Sequence, residues 1–275
     1  MTPSDSRADS VIFFDSVRLG FDEGDVLRNL SFHVTQGETL ALLGETGSGK
    51  TLALKLAAGL LRPDSGRVRV LGSDVSSMTE DELLAFRRQI GFVFQEGALF
   101  DSLTVGDNVA YRLREDGVPE EEIEPRIREA LRFVELEDAL EKLPAELSGG
   151  MRRRVSIARA LVSRPPVVLY DSPTAGLDPV TSQTIITLLL RLRDLQGVTA
   201  ILATHRLQDV FALANYRFDA ASDRVVHRPE PPDAPSRNGF PPTRFLVLRD
   251  GAVYFEGDQQ AVLSSPDPYL KRFLV

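Results

Sequence analysis

Cysteine is absent from this sequence, and histidine occurs only three times. The first absence excludes disulfide staples, a thiolate nucleophile and any cysteine metal site, and it fits a reducing compartment. The second leaves little from which to build a zinc centre. Long apolar runs are missing as well: nowhere do about eighteen apolar residues follow one another without a charge, so no membrane span is expected. The opening MTPSDSRADS has no apolar segment behind a basic start, so no secretory signal is expected either, which predicts a cytoplasmic chain. Positive charge is in deficit. With 32 Lys and Arg against 40 Asp and Glu the formal net charge is −8, which argues against a broad nucleic-acid surface and predicts no nucleic-acid partner, a local basic patch apart. What is present is apolar material: 43% of 275 residues is enough for a sizeable core, in one large domain or a domain with a subdomain.

Residues 11–36 alternate apolar and polar side chains between turn residues, as in VIFFDSVRLGF and LSFHVTQ, and predict an antiparallel sheet. The segment TLALLGETGSGKTLALKLAAGLL then runs from a buried strand through a glycine-rich loop into an apolar helix. From about residue 81 to 162 the pattern is mostly helical and charged. Strand PVVLYD, helix SQTIITLLLRLRDLQ and strand VTAILATH follow with the β-α-β rhythm of a parallel sheet. Two structural units are thus interleaved in one chain, a core of residues 1–87 and 163–275 and a helical subdomain of about 88–162. The proline-rich stretch 217–243 is expected to be an exposed insertion loop, because proline lacks the donor that a central strand requires.

The segment Gly44, Glu45, Thr46, Gly47, Ser48, Gly49, Lys50, Thr51 fits GxxxxGK[ST]. Its glycines let backbone N–H groups curl around a β-phosphate, Lys50 reaches the β and γ oxygens, and the Thr51 hydroxyl ligates Mg²⁺ at the positive end of the following helix. The alternative, a glycine-rich turn, is weakened by the flanking strand and helix. Further on, Val167–Asp171 is an apolar strand ending in a carboxylate, and Asp171 can hold Mg²⁺ opposite Thr51. Taken alone, Asp171 reads equally well as a loop-capping aspartate.

A third motif selects a family. Leu147-Ser148-Gly149-Gly150-Met151 before the basic, helical RRRVSIARAL resembles the LSGGQ signature of ATP-binding-cassette (ABC) proteins, with Met151 where Gln is usual. The resemblance implies an α/β P-loop cassette: a RecA-like mixed-sheet core, an antiparallel β subdomain and an inserted α-helical subdomain. It implies that two copies face head to tail, with Ser148, Gly149 and Gly150 of one gripping the γ-phosphate held by the Lys50 loop of the other. The remaining family positions follow in order: Phe21 where an aromatic ring stacks on adenine, Gln95 as the glutamine that reaches Mg²⁺ or the attacking water, Asp178 in the loop that crosses between subunits, and His205 as the switch histidine. Each has a plain alternative: a core phenylalanine, a solvated amide, a turn before Pro179 and a structural histidine.

One position departs from the family. Where Asp-Glu-Pro-Thr is usual, this sequence reads Asp171-Ser172-Pro173-Thr174, so the glutamate that polarises water is replaced by Ser172. Serine is no base near neutral pH, so ATP binding is expected to persist and hydrolysis to be reduced. Three explanations stand: a natural cassette that is slow or needs another partner, an ATP-gated clamp, and an engineered change that traps the ATP-bound dimer. Within the family, GALFDSLTV, DNVAY, LSGGMRRRV, AGLDPVTS and the closing SSPDPYLKRFL resemble the ATPases of Mla and Mce lipid transporters. That implies ATP and Mg²⁺ as ligands, integral-membrane permease subunits of the MlaE type and an Mce-domain protein as partners, and a place on the cytoplasmic face of a bacterial inner membrane. Ala98, Leu99, Phe100 and Leu103 are then read as an apolar patch for the permease, or alternatively as packing within the helical subdomain. A DNA-repair or ribosome-acting cassette would show coiled-coil or zinc insertions or a second cassette, which this sequence lacks. A non-hydrolysing regulatory module is the rival that Ser172 keeps open.

Overall fold

The computed structural model describes residues 10–228 and 243–272. Strands β1 (Ser10–Phe21) and β2 (Gly24–Thr35) form a long antiparallel pair closed by a two-residue turn that sets Phe21 opposite Gly24. Strand β3 (Thr39–Gly44) leads into the phosphate loop and helix α1 (Lys50–Ala57). Strands β4 (Ser65–Val70) and β5 (Ser73–Asp74) follow, then helix α2 (Glu80–Arg87), strand β6 (Ile90–Val93) and helices α3 (Val105–Glu115), α4 (Glu120–Phe133) and α5 (Gly149–Leu161). The chain returns through β7 (Val167–Asp171), α6 (Pro179–Gln196), β8 (Thr199–Thr204) and α7 (Leu207–Asn215). It continues with β9 (Tyr216–Asp219), β10 (Arg224–His227), β11 (Thr243–Arg249), β12 (Ala252–Gly257) and the short helices α8 (Gln259–Ser264) and α9 (Pro268–Lys271).

Two sheets carry the fold. The antiparallel one has the order β2-β1-β4-β5, and the larger one, of six strands, runs β12-β11-β3-β8-β7-β6. In the larger sheet β11, β3, β8, β7 and β6 are parallel and only β12 runs against its neighbour, so the sheet is mixed. Both of its faces are covered, which explains why TLALLG, VVLYD and TAILAT are buried throughout instead of alternating. The alternation survives in what each residue touches. Leu40 and Leu42 pack with α1 and the antiparallel sheet, while Ala41 and Leu43 face the core shared with the helices from α3 to α6.

Helix starts follow local chemistry. Thr79 caps α2 and makes a reciprocal capping box with Glu82; Thr104, Ser148 and Asp178 cap α3, α5 and α6 through their side chains. Two expectations need correction. Ile90–Val93 lies within the range expected to be helical, yet it pairs with β7 as an edge strand of the main sheet; four residues are too few to reveal a period. The stretch 217–243 is not a loop throughout: its beginning belongs to a β9–β10 hairpin in which Phe218 opposes Val225, and its last residue, Thr243, opens β11. The prolines start only at residue 229, beyond the hairpin, and the remaining insertion, 229–242, lies outside the described residues.

The hairpin is fastened by a buried ion pair. Arg193 and Asp194 on α6 meet at 2.7 Å with side chains 2% and 1% exposed. Arg193 also donates to the carbonyls of Leu213 and Tyr216, and the Phe218 N–H donates to Asp194 at 2.7 Å. Every charged atom of the pair is therefore occupied where α6, the end of α7 and β9 converge. Asp194→Ala, which strands the Arg193 guanidinium, is expected to cost about 3–5 kcal/mol in urea denaturation. Replacing both partners by apolar residues is expected to cost less than that single change.

Candidate functional site

The phosphate loop begins where β3 ends and closes at Gly49, the N-cap of α1, whose φ of 100° lies in the left-handed region. A Cβ there would overlap the Leu27 side chain, so only glycine fits. No side chain caps α1, which leaves its first N–H groups free to meet an anion. The Lys50 ammonium donates to the carbonyls of Gly44 and Glu45, both at 2.8 Å, and approaches Ser48 Oγ at 3.4 Å. Burial holds its pKa below the ordinary lysine range, and the nearby negative charge of Asp171 works against that shift.

Asp171 ends β7 beside this loop. It accepts from the Thr51 hydroxyl at 3.2 Å and, at 3.5 Å, from that of Ser172. Ser172 itself has φ 48°, and its N–H donates to the Ala203 carbonyl at 2.8 Å, so its left-handed turn is tied to β8. A cavity of about 290 Å³ is lined by Thr46, Gly47, Gly49, Lys50, Thr51, Gln95, Ser172 and His205, with Val26 and Leu52. Residues that follow the parallel strands β3, β6, β7 and β8 thus meet at the carboxyl edge of the sheet, with Val26 of β2 beside them. Thr51 and Asp171 offer two oxygen donors suited to Mg²⁺, an ion that keeps its remaining positions for phosphate and water. Among the described residues no cluster of three or more His, Cys, Asp or Glu that could hold a metal ion is present.

Other expected residues lie outside this cavity. Phe21 sits at the end of β1, 55% exposed, and so is not a core residue. Ser148 caps α5 by accepting from the Met151 N–H at 3.2 Å. Gly149 leaves space around its Cα, whereas a Cβ on Gly150 would overlap Thr181 Cγ2. Asp178 caps α6, accepting from the Thr181 N–H at 3.0 Å, and that side-chain bonding holds its carboxyl below the usual range. Within one chain, then, Ser148, Gly149, Gly150 and Asp178 take no part in the wall around Lys50.

Several arginines escaped the sequence reading. Arg153 on α5 is 6% exposed and donates to the Phe94 carbonyl at 3.0 Å, just before Gln95. Arg159, in the last turn of the same helix, donates to the Ala98 and Gly97 carbonyls at 2.7 and 2.9 Å. The signature helix therefore grips the Gln95 loop at two points; the run Arg152-Arg153-Arg154 hinted at this, but not which guanidinium turns inward. Arg206 donates to the Thr174 carbonyl and the Ser182 hydroxyl at 3.2 and 3.1 Å, tying the turn after His205 to the segment after Ser172. Nearby, burial pushes the Asp209 carboxyl up, against the Thr174 hydroxyl that donates to it.

Beside the Gln95 loop lies a groove of about 500 Å³ between α2, β6, α3 and α5. Ala98 and Phe100 line it, with the Phe100 ring 4.7 Å from Tyr111, while Leu99 packs into the core. The apolar patch expected at 98–103 is thus divided between the groove and the interior. Asn108, fully buried, shapes this loop: its amide accepts from the Phe100 N–H at 2.8 Å and donates to the carbonyls of Phe100, Leu103 and Thr104.

Comparison with known proteins places these features in context. The ABC transporter family profile matches residues 27–175. The intermembrane phospholipid transport system ATP-binding protein MlaF of Haemophilus influenzae is 36% identical over 211 residues, which are 76% of this chain and 80% of that protein. The methionine import ATP-binding protein MetN of Carboxydothermus hydrogenoformans is 41% identical over 198 residues, 72% of this chain and 59% of its own length. Among solved structures, the dimeric ATP-binding cassette MJ0796, in a post-hydrolysis state with ADP and Pi, has a TM-score of 0.74 at 30% identity, covering 90% of this chain and 98% of that one. The cbiO1 structure from Clostridium perfringens, part of the ABC transporter complex cbiONQ, has a TM-score of 0.76 at 27% identity, covering 97% and 95%.

Because Gly150 leaves no room before Thr181, Gly150→Ala is expected to cost about 1–3 kcal/mol in thermal or urea unfolding. Adding Thr181→Ser, which removes the overlapped methyl, is expected to recover most of that loss.

Proposed function

The chain belongs to the ABC transporter family, and from that premise we propose that it binds ATP with Mg²⁺ and drives a lipid transporter by closing as a head-to-tail pair of cassettes. The observation that carries this reading is the single cavity uniting Lys50, Thr51, Gln95, Ser172 and His205, with Asp171 behind it. The uncapped α1 terminus and Lys50 neutralise the β- and γ-phosphates. Thr51 and Asp171, with Gln95, hold Mg²⁺, which offsets phosphate charge when bound. Phe21, exposed at the end of β1, offers its ring face to the adenine. The exposed Ser148 and Gly149, remote from the chain's own phosphate cavity, complete the site of a second copy, with Asp178 near the crossing. His205, exposed on the cavity wall, contacts the γ-phosphate.

The same geometry limits the chemistry. The Ser172 hydroxyl is a hydrogen-bond partner of Asp171 and no proton acceptor for water at neutral pH. ATP therefore holds the pair closed longer than in a cassette with glutamate at this position, and positioning and electrostatics supply the residual rate. Closure reaches a permease through the groove beside Gln95, since Arg153 and Arg159 bind that loop to the signature helix.

Lipid as cargo is supported by the phospholipid-transport relative, which aligns over 80% of its length. The methionine-import relative aligns over 59% of its own. An MlaE-type permease and an Mce-domain protein are the corresponding partners, at the cytoplasmic face of a bacterial inner membrane. Its 41% identity keeps methionine import as the second reading. Co-purification with a permease, followed by lipid transfer between reconstituted vesicles, tests the first; methionine uptake without lipid transfer would overturn it.

Ser172→Glu is expected to raise steady-state ATP turnover by about 10²-fold or more while leaving ATP affinity close to that of the parent. Equal turnover in the two proteins would sink the claim that the serine limits hydrolysis.

A further inference from the structure

The segment after β7 is exposed in its middle and buried at both ends. Gly176, Asp178, Pro179 and Val180 face outward, whereas Thr174 before them and Ser182 after them are 0% and 4% exposed. One guanidinium holds both ends. Arg206 Nη1 donates to the Thr174 carbonyl at 3.2 Å and to the Ser182 hydroxyl at 3.1 Å, so it brackets Asp178 from inside. Its Nε stands 3.8 Å from a carboxylate oxygen of Asp209, and that same oxygen accepts from the Thr174 hydroxyl. The Arg206 backbone N–H donates to the Thr204 hydroxyl at 3.0 Å, which fixes the turn that carries His205 between them. The bracketed segment in turn meets the start of α5. Leu177 Cδ2 lies 3.8 Å from where a Cβ on Gly149 would stand, and Thr181 Cγ2 would overlap one on Gly150. Hydrogen bonds and packing thus run without a break from the His205 wall of the phosphate cavity to the outward-facing residues Ser148–Gly150 and Asp178.

We propose that Arg206 is a positioning residue that couples His205, in one copy's phosphate cavity, to the surface of Ser148–Gly150 and Asp178 that the same copy presents to a second copy. The proposal rests on the reading of the chain as an ATP-binding, head-to-tail pair. Its physical basis is adjacency: a γ-phosphate contact that fixes the His205 turn also fixes the next side chain, and that guanidinium sets both ends of the Asp178 segment. The planar spread of arginine is what the site uses, since Nε faces Asp209 while Nη1 reaches the carbonyl and the hydroxyl. A lysine ammonium supplies the charge that the buried Asp209 needs, but as a compact point it cannot face all three acceptors at once.

The test uses the full chain and three measurements: ATP affinity with Mg²⁺ at protein concentrations that keep it monomeric, ATP-dependent dimerisation by sedimentation velocity, and the nucleotide-free melting midpoint. Arg206→Lys is expected to weaken ATP-dependent dimerisation about 10-fold, the worth of one hydrogen bond to a charged group, while the monomer's ATP affinity stays parental. Ser182→Ala removes one acceptor and leaves the Arg206–Asp209 pair; it is expected to weaken dimerisation about 3-fold, and it decides the question if the lysine variant does not fold. Leu213→Ala is the control for destabilisation alone, because Leu213 is 2% exposed in the apolar core. It is expected to lower the midpoint and leave dimerisation parental. Parental dimerisation in Arg206→Lys or in Ser182→Ala overturns the proposal. So does an equal loss in Leu213→Ala, or a fall in the monomer's ATP affinity as large as the fall in dimerisation. A parent chain that binds no ATP overturns the nucleotide reading, and one that binds ATP yet stays monomeric overturns the pairing; either result removes the coupling role before any variant is compared.

Discussion

Lys50 carries an ammonium group into the protein at 8% exposure, and two backbone carbonyls at 2.8 Å together with the charge of Asp171 make that burial tolerable. The carbonyls belong to the loop itself and Asp171 ends β7, so the ammonium gains its countercharge only when the parallel sheet is assembled in register. The β3–β8 and β8–β7 pairings bring Gly44 and Asp171 to the same edge. The antiparallel sheet contributes Leu27, which closes against Gly49. The phosphate site is therefore a consequence of sheet order, with the loop glycines supplying the conformation.

Around that centre the protein uses arginine as a strap. Arg153 and Arg159 reach from α5 to the backbone on either side of the Gln95 loop, Arg206 joins the segments after β7 and β8, and Arg193 pins the β9–β10 hairpin to α6. Each acts on carbonyl oxygens, which a fork of several donors can gather where a lysine would serve only one or two. Burial lowers the pKa of Arg153 and Arg159, yet a guanidinium stays charged, so the straps hold across the physiological range. The loop bearing Gln95 is thus part of a rigid unit with the signature helix, and the groove lined by Phe100 and Tyr111 belongs to that unit.

Ser172 is the one element at odds with the rest. The groups proposed to bind phosphate are in place, and the backbone at 172 has a left-handed turn and a bond to Ala203. A side chain shorter than glutamate leaves the turn undisturbed while taking the proton acceptor away. In the proposed mechanism binding and hydrolysis are separable at one position, because the first is built from backbone amides, Lys50 and oxygen donors, and the second needs a base.

The phosphate-loop motif and the buried parallel strands could be read directly, because each is written in contiguous residues; that Lys50, Gln95, Ser172 and His205 share one cavity is a matter of the fold. The helix after Asp178 was legible in type, but it begins at Pro179, ahead of the expected SQTIITLLLRLRDLQ, because the Asp178 side chain caps it. The edge strand β6 and the β9–β10 hairpin could not be read, the first being too short for a period and the second masked by the prolines after it. Nor could composition say which of three consecutive arginines turns inward to Phe94. The fit of Gly150 to Thr181 and the bracketing of Asp178 by Arg206 were likewise decided by tertiary structure alone. The sequence determined which chemistry the chain can hold, since motif residues carry it wherever they are folded. Only the tertiary structure decided which side chains support that chemistry, because their partners lie far away along the chain and adjoin it only once the sheets have packed.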